Sequence, residues 1–191
     1  MTDKLELKFF KTHANVNIPK IQTELSACFD MEYNNAGKTT YGGFTSSNKH
    51  FTRTFTNATI HIGPKERVLV PTGLIFDIPE GYSVRIHPRS GLSLRNGIVL
   101  ANLEAVIDAD YVEEVYLMMT NTSDVPVTFS NGDRIAQAEL VKVESYDIVE
   151  STVAPVKKTS RSGGLGSTGV KTKAKNPEKT TEKTLDKAEQ V

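Results

Sequence analysis

The chain has 191 residues, with 23 Lys and Arg against 23 Asp and Glu, so its formal net charge is zero. The charge is unevenly spread, because residues 156–191 carry nine basic and four acidic residues while residues 1–155 carry 14 and 19. An acidic body argues against nucleic acid as the ligand, and we expect no direct nucleic-acid binding. The length fits one domain followed by a basic tail.

Membrane association and disulfide bonding are also not expected. No apolar run approaches the roughly 18 residues that a membrane span needs, and the first residues lack a signal-peptide pattern. Cys28 is the only cysteine, so no internal disulfide can form. A lone cysteine suits a reducing compartment, and we expect a cytoplasmic, intracellular protein.

The first distinctive segment along the chain is residues 34–57, which are rich in Gly, Thr, Ser and Asn. Four aromatic residues are scattered through it: Tyr41, Phe44, Phe51 and Phe55. We predict a long loop or an extended hairpin that packs on another part of the protein. It would lie within a main domain that covers residues 1–150.

Short apolar stretches bounded by turn residues follow between residues 58 and 149, and their β-branched content predicts strands. The predicted strands are residues 68–70, 74–76, 84–86, 115–118 and 125–127. Turn signals separate them at residues 71–73, 79–81, 121–124 and 130–133. The only predicted helix covers residues 90–96. Many short strands at close spacing indicate an all-β barrel or sandwich.

The C-terminal part changes composition twice. A polar spacer at 151–160 leads into residues 161–169, where glycines, hydroxyl groups and Arg161 form a composition suited to binding phosphate through backbone N–H groups. Such a segment can also be a flexible linker. Residues 171–191 are rich in Lys and Glu with almost no apolar content, so we predict that this tail is disordered.

Five blocks of sequence occur in a fixed order along the chain. They are SACFDM (26–31), PRSGLS (88–93), VIDADY (106–111), GDRIAQ (132–137) and RSGGLGSTG (161–169). Together they resemble the five ordered motifs of the trimeric deoxyuridine triphosphatase (dUTPase) family, and the resemblance runs from about Leu5 to Gly169. It implies a jelly-roll-like β-barrel with a flexible glycine-rich C-terminal arm. The family usually has a shorter connection at residues 34–57, so that segment looks like an insertion. The resemblance also implies a homotrimer with shared active sites, which hydrolyses dUTP to dUMP and pyrophosphate with Mg²⁺.

The resemblance assigns a role to residues in each block. Asp108 is the predicted general base, because an aspartate is ionised at neutral pH and can deprotonate a water that attacks the α-phosphate. Tyr111 matches a tyrosine whose ring packs beneath the deoxyribose, and Asn102 begins the segment that reads the uracil. Asp30 matches an aspartate that contacts the Mg²⁺ of the bound triphosphate through water.

The predicted phosphate-binding residues come from three of the blocks. They are Arg89, Ser90, Gly91, Gln137, Arg161, Gly166 and Ser167, and Leu165 stands where the family usually carries an aromatic residue that stacks on uracil. Asp133 and Arg134 are expected to be structural, bonding neighbouring strands or the next subunit. The family's usual glycine before Val-Ile-Asp is replaced here by Ala105, and the usual Arg-Gly after the tyrosine by Val112 and Glu113.

Two other functions fit the same scaffold. Deoxycytidine triphosphate deaminases are related barrels that bind a similar nucleotide, but they rely on a glutamate for the chemistry on the base, whereas Asp108 with Tyr111 suits hydrolysis. A regulatory binding protein could use the scaffold with residues 34–57 as its partner surface. Ammonia release would identify the first, and a partner that depends on residues 34–57 but not on Asp108 would identify the second.

Overall fold

The computed structural model describes residues 5–160. The chain divides into two compact units, Met1–Tyr146 and Asp147–Val191. In the second unit, the described residues 147–160 contain neither a helix nor a strand. The predicted glycine-rich arm at 161–169 and the predicted disordered tail at 171–191 lie outside the described residues.

Within residues 5–160 the chain forms 12 strands and one short helix, which confirms the predicted all-β class. In chain order these are β1 (Lys8–Lys11), β2 (Phe29–Glu32), β3 (Thr40–Phe44), β4 (His50–Thr54), β5 (Thr59–Ile62), β6 (Arg67–Asp77), β7 (Tyr82–Pro88), α1 (Ser90–Asn96), β8 (Ile98–Leu100), β9 (Ala105–Ile107), β10 (Glu114–Asn121), β11 (Val127–Ser130) and β12 (Arg134–Lys142).

The strands form three sheets. A six-stranded sheet has the order β4-β3-β6-β10-β8, with β1 paired to the other end of β6. A four-stranded sheet has the order β2-β12-β7-β9, and β5 pairs with β11. Every pairing is antiparallel. The arrangement is consistent with the predicted jelly-roll-like fold, in which antiparallel strands pack their apolar faces together.

The core follows from the two-residue repeat of the strands. Along β10, Val115, Leu117 and Met119 are buried, while the residues between them are half-buried or exposed. The same alternation in β7 buries Val84 and Ile86. Each fully buried aliphatic side chain of this kind stabilises the fold by about 1.5–3 kcal/mol relative to leaving it exposed. The core therefore fixes which residues of β7 and β12 face away from it, toward the candidate site.

Strand β6 corrects the prediction that residues 68–70 and 74–76 are separate strands joined by a turn. It is continuous, and the register with β10 shifts between the pairs Glu114–Ile75 and Tyr116–Pro71. The extra residues of β6 form a bulge in which Gly73 has φ 69°. Thr72 holds the bulge, because its Oγ1 donates to the carbonyl of Val115 at 2.6 Å. The turn signal at 71–73 thus marks a bulge inside a strand.

Other local predictions are confirmed. The helix spans Ser90–Asn96 and ends at Gly97, whose φ of 66° favours glycine. Residues 34–57 contain the antiparallel hairpin β3–β4, which extends the large sheet through β6. Its aromatics pack on the body as expected: the rings of Tyr41 and Phe55 lie 4.9 Å apart, and Phe55 also contacts Tyr33. The predicted strand 125–127 is wrong in its position, because β11 begins only at Val127.

Among residues 5–160, no helix has both the length and the apolar character needed to cross a membrane.

Candidate active site

Three strands of the four-stranded sheet place Asp30, Gln137 and His87 in one row. Gln137 of β12 pairs with Asp30 of β2 on one side and with His87 of β7 on the other. The Gln137 side chain is fixed, since its Nε2 donates to the carbonyl of Pro88 at 3.0 Å. Because Arg89 directly follows Pro88, this row brings three of the predicted site residues together at the end of β7.

Asp30 joins two arginines at this strand end. Its Oδ1 lies 3.1 Å from Arg89 Nε, and its Oδ2 accepts from Arg134 Nη1 at 2.9 Å. Arg89 Nη1 also donates to the carbonyl of Arg134 at 2.6 Å. One carboxylate therefore faces two guanidinium groups, which leaves one positive charge in excess. Arg134 bonds a neighbouring strand, as expected, and we call these three residues the Arg89 cluster.

An open cavity of about 410 Å³ borders the Arg89 cluster and is lined by Arg89 and Arg134 together with residues of β11 and α1. Ser90 and Gly91 form the first turn of α1, whose preceding residue is Arg89 in an extended conformation. Within the described part of the chain, no side chain caps this helix start. The cluster and the helix start thus present donors and positive charge next to an open space, which suits an anion.

Asp108 and Tyr111 lie on the loop between β9 and β10. Both are exposed, and the Tyr111 N–H donates to the carbonyl of Asp108 at 3.1 Å. The Tyr111 hydroxyl donates to the carbonyl of Glu114 at 3.1 Å, which holds the ring at the start of β10. The exposed Asp108 carboxylate can receive a proton from water. The face of the Tyr111 ring, held through its hydroxyl, can pack against part of a bound substrate.

Asn102 lies in the turn between β8 and β9. It is exposed, and its carbonyl accepts from the N–H of Glu104 at 2.8 Å in a turn where Leu103 has φ 66°. Strand β9 connects this turn to Asp108, so the residues predicted to contact the base, the sugar and the water belong to one continuous stretch of chain. We call residues 102–111 the Asp108 segment.

The Asp108 segment and the Arg89 cluster use opposite ends of strand β7. Asp108 follows Ile107, which pairs with Val84 near the start of β7, whereas Arg89 follows the last residue of that strand. At about 3.3 Å per residue, five residues of strand place Val84 and Arg89 roughly 17 Å apart. A single chain therefore does not bring Asp108 next to Arg89.

Few side chains in the part of the chain that the structure describes could bind a metal ion directly. Between residues 5 and 160, no group of three or more His, Cys, Asp and Glu side chains lies close enough to hold one. Both carboxylate oxygens of Asp30 are bonded to arginines. This arrangement fits a cation that is held mainly by phosphate oxygens and water, as is usual for Mg²⁺. The predicted residues Arg161, Leu165, Gly166 and Ser167 lie outside the described residues.

Sequence reasoning did not identify Lys38 and Glu114 as neighbours of this site. Lys38 Nζ lies 2.6 Å from Glu114 Oε2, and Glu114 is also the residue whose carbonyl accepts from the Tyr111 hydroxyl. The two are 76 positions apart in sequence, and no motif links them. The only available signal was that Glu114 lies three residues after Tyr111. A larger cavity of about 860 Å³, on the face of β3, β6 and β10, contains none of the predicted site residues in its lining.

The fold and the site define an all-β protein with two arginines beside an open cavity at one strand end and a separate aspartate–tyrosine loop. The sequence identifies the family of this protein, because a family model described as dUTPase matches residues 55–169. This match covers more than half of the chain, so the chain belongs to the dUTPase family. It includes Arg89, Asp108 and Gln137, whereas the β3–β4 hairpin precedes it.

Curated relatives agree with this family. The chain is 44% identical over 118 residues to a deoxyuridine 5'-triphosphate nucleotidohydrolase of Finegoldia magna, a match that covers 61% of this chain and 81% of the relative. It is 47% identical over 107 residues to a protein of the same name from Brucella melitensis, covering 56% and 67% of the two chains.

Solved structures share the fold. The dUTPase of Streptococcus mutans aligns with a TM-score of 0.57 and 21% identity, covering 74% of this chain and 98% of that one. The Staphylococcus bacteriophage 80alpha dUTPase with dUPNHPP aligns with a TM-score of 0.67 and 19% identity, covering 86% and 99%. At these identities the likeness concerns the fold alone, and it confirms the predicted architecture.

Proposed function

We propose that this protein hydrolyses dUTP to dUMP and pyrophosphate. The observation that carries the proposal is that the match to the dUTPase family includes Asp108, which is exposed, and Arg89, which borders an open cavity. Asp108 would accept a proton from water while the water oxygen bonds to the α-phosphorus. The bond from that phosphorus to the bridging oxygen would break, and pyrophosphate would leave with the electron pair.

The phosphates would be held by the Arg89 cluster. Its excess positive charge and the donors of Ser90 and Gly91 suit a triphosphate, whose negative charge must be stabilised as the bond breaks. Gln137 would contact a phosphate or the water near it. Arg161, Gly166 and Ser167 would close over the phosphates and Leu165 would cover the uracil, as the family resemblance implies.

We further propose that each site is shared between copies of the chain in a homotrimer. The separation of roughly 17 Å along β7 supports this, since the α-phosphate next to Asp108 belongs to the same small molecule as the phosphates next to Arg89. A site built from the Asp108 segment of one copy and the Arg89 cluster of another brings the two together. Closed cyclic assemblies are the usual way to repeat such a contact between identical chains.

Mg²⁺ would enter with the substrate phosphates, and Asp30 would contact it through water. When bound, it would neutralise part of the phosphate charge. A direct bond from Asp30 to the ion would have to displace Arg89 or Arg134, since each of its oxygens faces a guanidinium group. The single cysteine supports the cytoplasmic location that we propose.

The test is pyrophosphate release from dUTP with Mg²⁺, alongside dTTP, dCTP and UTP, for the native chain and for Asp108→Asn. We expect release that is selective for dUTP and falls by about 10²–10⁴-fold in the variant, which is the usual contribution of a general base. Ammonia release from dCTP would instead indicate the deaminase function. Absence of both reactions would favour a regulatory binding protein.

A further inference from the structure

Glu114 is the first residue of β10 and directly follows the loop that carries Asp108 and Tyr111. Its side chain is only 13% exposed. Its Oε1 accepts the N–H of Gly73 at 3.0 Å, and its Oε2 lies 2.6 Å from Lys38 Nζ. A nearly buried carboxylate is thus held by one amide and one ammonium group, which is the condition under which a buried charge is tolerated.

The bulge in β6 explains why a carboxylate is needed at this place. Gly73 lies between the ladder pairs Glu114–Ile75 and Tyr116–Pro71 and has no cross-strand partner in that register. The Glu114 side chain accepts the N–H that the bulge leaves outside the ladder. Lys38 approaches from a turn in which its N–H donates to Asn35 at 2.8 Å, so its backbone is fixed as well.

Glu114 is also the anchor of Tyr111. The Tyr111 hydroxyl donates to the backbone carbonyl of Glu114, and the Tyr111 N–H donates to the carbonyl of Asp108. The position of the Tyr111 ring therefore depends on the backbone of Glu114. That backbone is held by its pairing with Ile75 and by the two contacts of its own side chain.

We propose that Lys38 and Glu114 are positioning residues that hold Tyr111 and thereby set the discrimination between deoxyribose and ribose. The inference rests on the proposed function, in which the Tyr111 ring packs beneath the sugar. A 2′-hydroxyl is excluded only if that ring is held close, so a loosened ring admits UTP. Lys38 precedes the range 55–169 that matches the family, so a segment outside the matched range supports the substrate site.

The test compares Lys38→Met, Lys38→Arg and the control Lys65→Met in steady-state kinetics with dUTP and UTP. Lys65 pairs with Asp124, whose side chain is 89% exposed, and its Nζ donates to the exposed carbonyl of Thr122 at 2.6 Å, so its loss removes surface contacts. In Lys38→Met the Glu114 carboxylate loses its cation and turns toward water, releasing Gly73. We expect KM for dUTP to rise about tenfold with a smaller change in kcat, because a nearly buried carboxylate that loses its cation is strongly destabilised where it lies.

The readout that separates positioning from general stability is the ratio of kcat/KM for UTP to that for dUTP. It is expected to rise at least about threefold in Lys38→Met and to stay near the native value in Lys38→Arg, whose guanidinium can pair with Glu114. The control Lys65→Met should match the native protein both in KM for dUTP and in the ratio of kcat/KM for UTP to that for dUTP. An unchanged KM and an unchanged ratio in Lys38→Met would overturn the proposal.

Two further measurements keep the proposal testable. If the native protein released no pyrophosphate, the proposed function would fail, and hydrogen exchange of residues 108–114 would still test the contacts. Faster exchange there in Lys38→Met supports the positioning role, and equal exchange overturns it.

If Lys38→Met did not fold, Glu114→Gln would serve, because it keeps an acceptor for Gly73 but loses the ion pair. An unchanged ratio of kcat/KM for UTP to that for dUTP in that variant overturns the proposal.

Discussion

The pair Arg53–Glu66 attaches the β3–β4 hairpin to the body of the protein, and its removal is predicted to destabilise the fold. Arg53 Nη1 donates to Glu66 Oε2 at 2.7 Å and Nη2 donates to Oε1 at 2.6 Å. Glu66 also accepts the N–H of Gly63 at 2.7 Å. The Arg53 guanidinium lowers the pKa of Glu66 through these hydrogen bonds. The perturbation is Arg53→Met, which keeps most of the aliphatic stem and removes the charge.

The magnitude follows from burial. Breaking a buried ion pair by removing one partner costs about 3–5 kcal/mol. The Glu66 side chain is 10% exposed but that of Arg53 is 39% exposed, so water reaches one side of the pair and the cost is reduced. The Gly63 N–H remains bonded to Glu66 and reduces it further. We expect a loss of about 2 kcal/mol at pH 7, or a Tm lower by about 4–8 °C for a domain of this size.

The assay is thermal and urea unfolding of the native protein, Arg53→Met and the matched control Lys142→Met. Lys142 lies 3.6 Å from Glu144 in a pair whose side chains are 68% and 83% exposed, so the control should change the free energy of unfolding by less than about 0.5 kcal/mol. In the native protein, a lowered folded-state pKa of Glu66 means that its stabilisation is complete above the ordinary value of 4.5 and is lost as pH falls below it. A variant as stable as the control at pH 7 would refute the reasoning.

Three other changes test separate parts of the structure. Gly73→Ala should lower the free energy of unfolding by about 2–4 kcal/mol in urea titration, because the left-handed φ is strained for alanine and its Cβ would clash with Val16 Cγ2. Asp30→Asn should raise KM for dUTP by about three- to tenfold in the pyrophosphate assay, because Arg89 and Arg134 lose the carboxylate that orients both guanidinium groups. Burial and neighbouring carboxylates raise the pKa of Cys28 above 9.0, so iodoacetamide should modify it more slowly at pH 8 than it modifies free cysteine. Normal stability, an unchanged KM or rapid alkylation would contradict these expectations in turn.

Local features of the fold could be predicted from the sequence. The helix Ser90–Asn96 follows from a helix start after proline and a glycine at its end, and β7 and β10 follow from β-branched and apolar content. The prediction contains neither β2 nor β12. In β12 the polar residues Gln137 and Glu139 alternate with buried alanines, so no apolar run identifies the strand.

Long-range contacts could not be predicted in the same way. The bulge in β6 depends on a bond from Thr72 to Val115, 43 positions away, and the turn signal at 71–73 therefore indicated the wrong structure. The Arg89 cluster joins Asp30 to Arg134 across 104 positions. The motifs identified Arg89, Asp108 and Gln137 as site residues, but only the sheet register shows which of them lie together and that Asp108 lies at the other end of β7.

The most direct test of the account is pyrophosphate release from dUTP by a trimer that combines two variants. Asp108→Asn and Arg89→Ala, co-expressed with different tags and purified through both, would each be inactive alone. If a site takes Asp108 from one copy and Arg89 from another, roughly a third of the sites in these mixed cyclic trimers contain both native residues, and activity returns. Activity that stays at the level of the separate variants, while the native protein is active, would contradict the shared site.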